Sequence, residues 1–183
     1  MLAPIDPSHN YPKETHSRVI IRFQDCDPLG HLNNSRYFDY MFNARADQLA
    51  KGFGFSLSEV FKTFGSAWVI YDQHIAYLRS ALPGEWVRIN SRLLFHNEDT
   101  LLVEYYMTDD SQQELKAVLW TTLKYVDLNS GKKIPHQPLV NDYLGAMQFP
   151  EGLEEDEILD PSWLQRVRGL RKKLSTPHSD KPD

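Results

Sequence analysis

Residues 22–37 read RFQDCDPLGHLNNSRY, and this stretch decides the fold. It overlaps a short β-forming run, residues 19–23, that we expect to end at Asp25. Residues 25–34 are so dense in turn formers that they cannot be regular structure throughout. The stretch therefore predicts a strand, then a loop carrying two carboxylates and a histidine, and then the start of a helix.

Downstream of the loop the apolar period becomes helical from Ser35 to about Lys51, along the stripe Tyr37, Tyr40, Met41 and Ala44. We expect Asn34 or Ser35 to cap this helix and Gly52 or Gly54 to end it. A second, short helix is indicated by the capping-box spacing of Ser56 and Glu59, and it stops at Gly65.

Four long segments then alternate with period two, at residues 69–77, 87–95, 101–107 and 115–125. Because their connections are short, they predict an antiparallel meander. Arg88, Arg92, Lys116 and Lys124 lie on the polar faces of these strands and are expected to be solvated. The fold class is α+β, with an antiparallel sheet wrapped around one long central helix.

The composition of the chain limits the number of domains, the disulfides and the kinds of partner that we expect. The chain has 183 residues, a net charge of −5 and one cysteine, so we expect one main domain, no disulfide and no nucleic-acid partner. No signal peptide or bilayer-length apolar run is evident, which predicts a cytoplasmic protein without membrane insertion. We expect a flexible arm over 1–16, the main domain over 17–134 and an extension over 135–183. That extension holds an acidic stretch at 150–160, a basic amphipathic helix at 162–174 and a disordered end from Ser175.

The loop and the helix start together predict acyl chemistry. Free amides at a helix N-terminus can accept negative charge that develops on a carbonyl oxygen. Asp27, a few residues upstream, can act on the same carbonyl as nucleophile or general base, and the sequence leaves these two routes open.

The pattern Asp-x-Asp-x-x-Gly-His-x-Asn-Asn-x-x-Tyr resembles the hotdog-fold acyl-CoA thioesterases of the 4-hydroxybenzoyl-CoA thioesterase type, over about residues 18–126. The resemblance implies hydrolysis of an acyl-CoA to free acid and coenzyme A, with no metal and no cofactor. It also implies a homodimer or dimer of dimers with each site at the subunit interface. It assigns catalytic roles to Asp27, His31 and the Asn34 amide. Substrate-binding roles fall to Gly30, Asn33 and Tyr37.

Two features depart from that family. Where its members often carry Glu-Ala-Arg late in the helix, this chain has Asn43, Ala44 and Arg45. The segment from about Pro135 has no counterpart in the minimal fold. This extension keeps open a non-catalytic acyl-CoA or acyl-carrier binding protein, or a scaffold.

Plainer interpretations stand beside these. Asp25 and Asp27 are both residues that commonly cap turns, and we favour that role for Asp25. Cys26 beside His31 suggests a nucleophile, but the flanking carboxylates raise a thiol pKa. Asp25, Asp27 and His31 are metal-ligand types, although Pro-Leu-Gly interrupts their spacing. An enoyl-CoA hydratase fits poorly, since that group usually spaces its Asp and His differently.

Overall fold

The computed structural model describes residues 2–150 and 163–175, and it places five strands and four helices in that part of the chain. The strands are β1 (Glu14–Ile20), β2 (Ser66–Tyr77), β3 (Trp86–His96), β4 (Thr100–Asp109) and β5 (Leu115–Asp127). The helices are α1 (Arg36–Phe53), α2 (Leu57–Phe64), α3 (Pro138–Met147) and α4 (Trp163–Ser175). None of these helices, in the described ranges, is both long and apolar enough to cross a membrane.

The strands form one antiparallel sheet in the order β1-β3-β4-β5-β2. The predicted meander is correct for β3, β4 and β5 but wrong for β2, which pairs with β5 at the far edge. Residues 78–85 therefore cross about 14 Å, three strand spacings, to reach β3. A chain of that length is long enough because an extended residue spans about 3.3 Å.

Helix α1 lies across one face of this sheet and buries Tyr37, Met41 and Leu49 against it. This arrangement is the predicted α+β layer. Gly54 ends α1 in the left-handed conformation, with φ 60°. Neither Asn34 nor Ser35 caps the helix through its side chain, so that expectation is wrong.

Helix α2 has the predicted bounds but not the predicted capping box. The Ser56 side chain makes no capping hydrogen bond, and its hydroxyl instead bonds to the hydroxyl of Ser58 at 2.9 Å. Gly65 ends the helix with φ 62°.

The opposite face of the sheet is covered by α4, the predicted basic helix, through Val167 and Leu170. The cationic side chains of the strands are therefore not all solvated, which corrects the sequence expectation. Arg92 and Lys116 are both buried, and each has a carboxylate partner: Glu104 for Arg92 and Glu85 for Lys116. Apart from Pro150, the acidic stretch at 150–160 lies outside the described residues, as does the chain from 176 onward.

The N-terminal arm differs from the expectation at several points. Strand β1 begins at Glu14, inside the segment assigned to the arm, and residues 23–25 form a short 3-10 turn rather than the end of a strand. Leu2 is buried, and the Ala3 carbonyl accepts a hydrogen bond from the hydroxyl of Tyr143 in α3, at 2.9 Å. The described arm therefore packs on α3, a helix that the sequence analysis did not predict.

Candidate active site

The loop before α1 is a tight hairpin turn built by its own residues. The Asp27 amide donates to the His31 carbonyl at 2.9 Å, and the Gly30 amide donates to the Asp27 carbonyl at 3.0 Å. These bonds define a type I turn followed by one left-handed residue, the usual three-residue hairpin loop. Pro28 presets the first turn position, and Gly30 takes the left-handed position with φ 80°. Gly30, predicted to bind substrate, thus shapes the turn.

Asp27 and His31 lie side by side on this turn. Asp27 Oδ1 accepts a hydrogen bond from the Leu29 amide at 2.9 Å, which holds the carboxylate in place. Asp27 Oδ2 is then 3.5 Å from His31 Nδ1, with both side chains partly exposed. Two of the predicted catalytic residues are therefore together, and Oδ2 is the oxygen left for chemistry.

The start of α1 is fixed by Asn33. Its amide donates to the Asp25 carbonyl at 3.0 Å, and its side-chain Oδ1 accepts from the Ser35 amide at 3.0 Å and the Ser35 hydroxyl at 2.8 Å. The Asn34 amide has no acceptor among the described residues and lies on the exposed surface. The positive end of the helix dipole is at the same place. Asn33 thus acts on the backbone, and the N–H of Asn34 is left as a donor.

Tyr77, at the end of β2, was not among the predicted site residues, although the sequence analysis placed it at a strand end. Its hydroxyl donates to the Asn34 carbonyl at 3.0 Å, and its ring meets that of Tyr37 edge-on at 5.1 Å. Tyr37 is 3 % exposed, and its hydroxyl accepts from the Ala81 amide at 3.3 Å. In the protomer Tyr37 is therefore a buried residue that packs against Tyr77 and holds the segment around Ala81, and burial raises its pKa.

Asp25 has a structural role, but it is not the turn cap that the plainer interpretation favoured, because the side chain that caps the turn is that of Asp27. Its carboxylate accepts from the Tyr40 hydroxyl at 2.8 Å and lies 3.8 Å from the Arg36 guanidinium. Burial first, and then the carboxylates of Asp25 and Asp27, raise the pKa of Cys26, which suppresses the thiolate as predicted. In the described ranges no three His, Cys, Asp or Glu side chains converge as metal ligands.

Solved structures with the same fold include several thioesterases. A 1,4-dihydroxy-2-naphthoyl-CoA thioesterase from Synechocystis aligns with a TM-score of 0.65 at 15 % identity, over 73 % of this chain and 95 % of its own. The probable thioesterase YbaW from Escherichia coli gives 0.64 at 22 %, over 73 % and 98 %. A DHNA-CoA thioesterase from Staphylococcus aureus gives 0.66 at 18 %, over 87 % and 94 %. These likenesses establish the hotdog fold.

Sequence comparison supplies the family. A search among curated proteins finds no match to this chain. The family model of the thioesterase-like superfamily matches residues 21–153, which include the hairpin turn, α1 and the whole of β2 to β5. The chain therefore belongs to the thioesterase-like superfamily and is a thioester hydrolase.

Proposed function

We propose that the protein hydrolyses an acyl-CoA to the free acid and coenzyme A at the turn formed by residues 27–34. The observation that carries the proposal is the presence of a free amide and a held carboxylate in one short loop. The Asn34 N–H lacks an acceptor among the described residues, and Asp27, seven residues upstream, keeps its Oδ2 beside His31. The names of two structural neighbours, both CoA thioesterases, support coenzyme A as the thiol.

The Asn34 amide binds the thioester oxygen. In the tetrahedral transition state this oxygen becomes an anion, and a fixed donor at a helix start stabilises it without reorganisation. A single such donor lowers the activation free energy by about 2.7–4 kcal/mol in other enzymes. The Tyr77 hydroxyl positions this donor, because it holds the carbonyl of the same residue.

Asp27 supplies the attack, and two routes fit its geometry. As nucleophile, Oδ2 bonds to the acyl carbon, the carbon–sulfur bond breaks to release the thiolate, and water then cleaves the mixed anhydride. As general base, Oδ2 takes a proton from a water that attacks the acyl carbon directly. Single-turnover hydrolysis in ¹⁸O water tests the nucleophilic route, since label in Asp27 requires an anhydride that water opens at its aspartyl carbon.

The first experiment measures thiol release from short, long and aromatic acyl-CoAs by wild type and Asp27→Asn. Circular dichroism of both proteins checks that the variant is folded like wild type. We expect Asp27→Asn to lose at least about 100-fold in kcat, the usual scale for a positioned acid–base group. Asp39→Asn is the control, because Asp39 is exposed and its carboxylate pairs with Arg36 on the helix surface. Full activity in Asp27→Asn would refute the assignment. Acyl-CoA binding without thiol release would favour the non-catalytic alternative.

We also propose that two copies pair through β2. This strand is a sheet edge, and it exposes Val69, Ile70 and Tyr71 on a row of unpaired backbone groups. The outer sheet face is occupied by α4, so we assign the second copy to the β2 edge with its exposed apolar side chains. A cytoplasmic location and independence from any cofactor stay predictions from the sequence.

A further inference from the structure

A cavity of about 170 Å³ lies beneath the C-terminal half of α1, away from the hairpin turn. It is bounded by α1, α3 and the inner face of the sheet. Its walls are mostly aliphatic and aromatic, and include Leu49, Leu93, Val103, Leu144 and Met147. Leu57 also lines it and is 46 % exposed, so the cavity reaches the surface beside α2.

Arg45 brings a charge into this apolar cavity, and no residue in the described ranges provides its counterion. Its side chain is buried, and its guanidinium meets only neutral atoms: the hydroxyl of Ser91 at 3.2 Å, that of Thr15 at 3.5 Å and the sulfur of Met147 at 3.9 Å. No carboxylate of the described residues reaches it. Burial lowers its pKa, yet a guanidinium keeps its proton in proteins, so the charge persists. An unpaired buried charge is costly, which marks this arrangement as incomplete.

The other buried arginine shows what a completed arrangement looks like in this chain. Arg92, on the opposite face of the sheet, donates to Glu104 at 2.6 Å and to Glu14 at 3.0 Å. The described residues thus provide two carboxylates for Arg92 and none for Arg45. The difference is not burial, because both side chains are under 10 % exposed.

Tyr105 adds a second donor to the same cavity. It is 4 % exposed and its hydroxyl has no hydrogen-bond partner among the described residues. Burial raises the pKa of Tyr105 to about 12 despite the opposing charge of Arg45, so the hydroxyl keeps its proton. The cavity therefore holds two donors, one of them cationic, facing apolar walls.

We propose that this cavity binds a small organic carboxylate with an apolar body, whose carboxylate is held by Arg45 and Tyr105. An apolar cavity of about 150 Å³ accommodates benzene, so the volume fits a benzoate or a short-chain fatty acid. The ligand is a free acid and not the acyl group of a bound thioester. Arg45 lies about 17 Å along α1 from Asn34, the proposed contact of the thioester oxygen. Buried Tyr37 and Met41 fill the intervening helix face. The proposal does not depend on the proposed hydrolysis.

The test is calorimetric titration of the full chain with benzoate and with benzamide, its neutral counterpart. We expect benzoate to bind at least tenfold tighter than benzamide. Tyr105→Phe removes a single oxygen and should weaken benzoate binding three- to tenfold, and Arg45→Met should weaken it more than tenfold. Tyr106→Phe is the matched control and should bind as wild type, because its hydroxyl bonds to Glu14 on the other side of the sheet.

Three results would overturn the proposal. Equal binding of benzoate and benzamide would mean that the cavity recognises only the apolar body. No benzoate binding at millimolar concentration would mean that the cavity is not a carboxylate site. Loss of benzoate binding in Asp27→Asn, with Tyr105→Phe unchanged, would place the carboxylate at the hairpin turn instead. Tyr105→Phe keeps the test decisive even if Arg45→Met fails to fold.

Discussion

Replacing Glu104 by glutamine tests how α4 is held on the sheet. Glu104 is fully buried, and its two oxygens accept from Arg92 at 2.6 Å, Trp120 at 2.7 Å and Arg166 at 2.8 Å. Arg166 belongs to α4, so this one carboxylate joins β3, β4, β5 and the C-terminal helix. Glutamine keeps the volume, removes the charge and sets an amide donor against these donors.

The expected loss follows from the burial of the pair. Removing one partner of a buried ion pair costs about 3–5 kcal/mol, because the other charge is left without compensation. Arg92 keeps Glu14 at 3.0 Å, so we expect the lower end, about 3 kcal/mol. For a chain of this size that corresponds to a fall in Tm of about 6–12 °C.

Urea unfolding and calorimetry of wild type and Glu104→Gln measure this loss. Arg166→Met alone should cost about 1.5 kcal/mol, the scale of one charged hydrogen bond. Because Arg166 and Glu104 touch, the double variant should lose less than the sum. Asp110→Asn is the control, since its pair with Arg18 is exposed and should change Tm little. A loss under about 1 kcal/mol in Glu104→Gln, with native circular dichroism, would refute the reasoning.

Three further predictions address the site, the assembly and acid stability. Tyr77→Phe removes the hydrogen bond to Asn34, which is worth about 1 kcal/mol, and should therefore lower kcat about fivefold with KM unchanged. Steady-state thiol release measures both constants, and an unchanged kcat would mean that Tyr77 does not position the amide. Ile70→Lys should yield monomers by light scattering, and a persistent dimer would rule out pairing through β2. The Thr100 hydroxyl, followed by nearby lysines, lowers the pKa of Asp99 from 3.8 to about 2. Its stabilisation is therefore present above pH 3.8 and lost as the pH falls toward 2. Asp99→Asn should flatten urea stability over that range, and a parallel decline in both proteins would contradict it.

Local features could be predicted because local residues determine them. The turn at 27–31 depends on Pro28 and on the left-handed Gly30, which are two residues apart in sequence. Helix α1 follows from its own apolar period, and the candidate carboxylate lies at a fixed distance along the chain from the helix start. Asp27 and the helix start could therefore be proposed without coordinates, and the family resemblance added His31 and the amide of Asn34.

Errors at the element ends also have local reasons. The capping signals at Ser35 and Ser56 match ordinary helix starts, yet the side chain of Asn33 satisfies the Ser35 amide instead, and Ser56 bonds to Ser58. A polar side chain near a helix start has several donors and acceptors within reach. Its residue type does not say which one it takes.

The residues alone indicate the kind and order of the elements from β1 to β5 and the chemistry of the turn, but not helix α3. The pairing of β2 with β5, the contact of Tyr77 with Asn34 and the pairing of Arg92 with Glu104 beneath α4 follow from long-range packing instead. Alternation marks one polar strand face, but a polar face is equally compatible with water and with a second buried layer. The choice depends on which distant segment packs there, and the neutral surroundings that the described residues give Arg45 depend on packing in the same way.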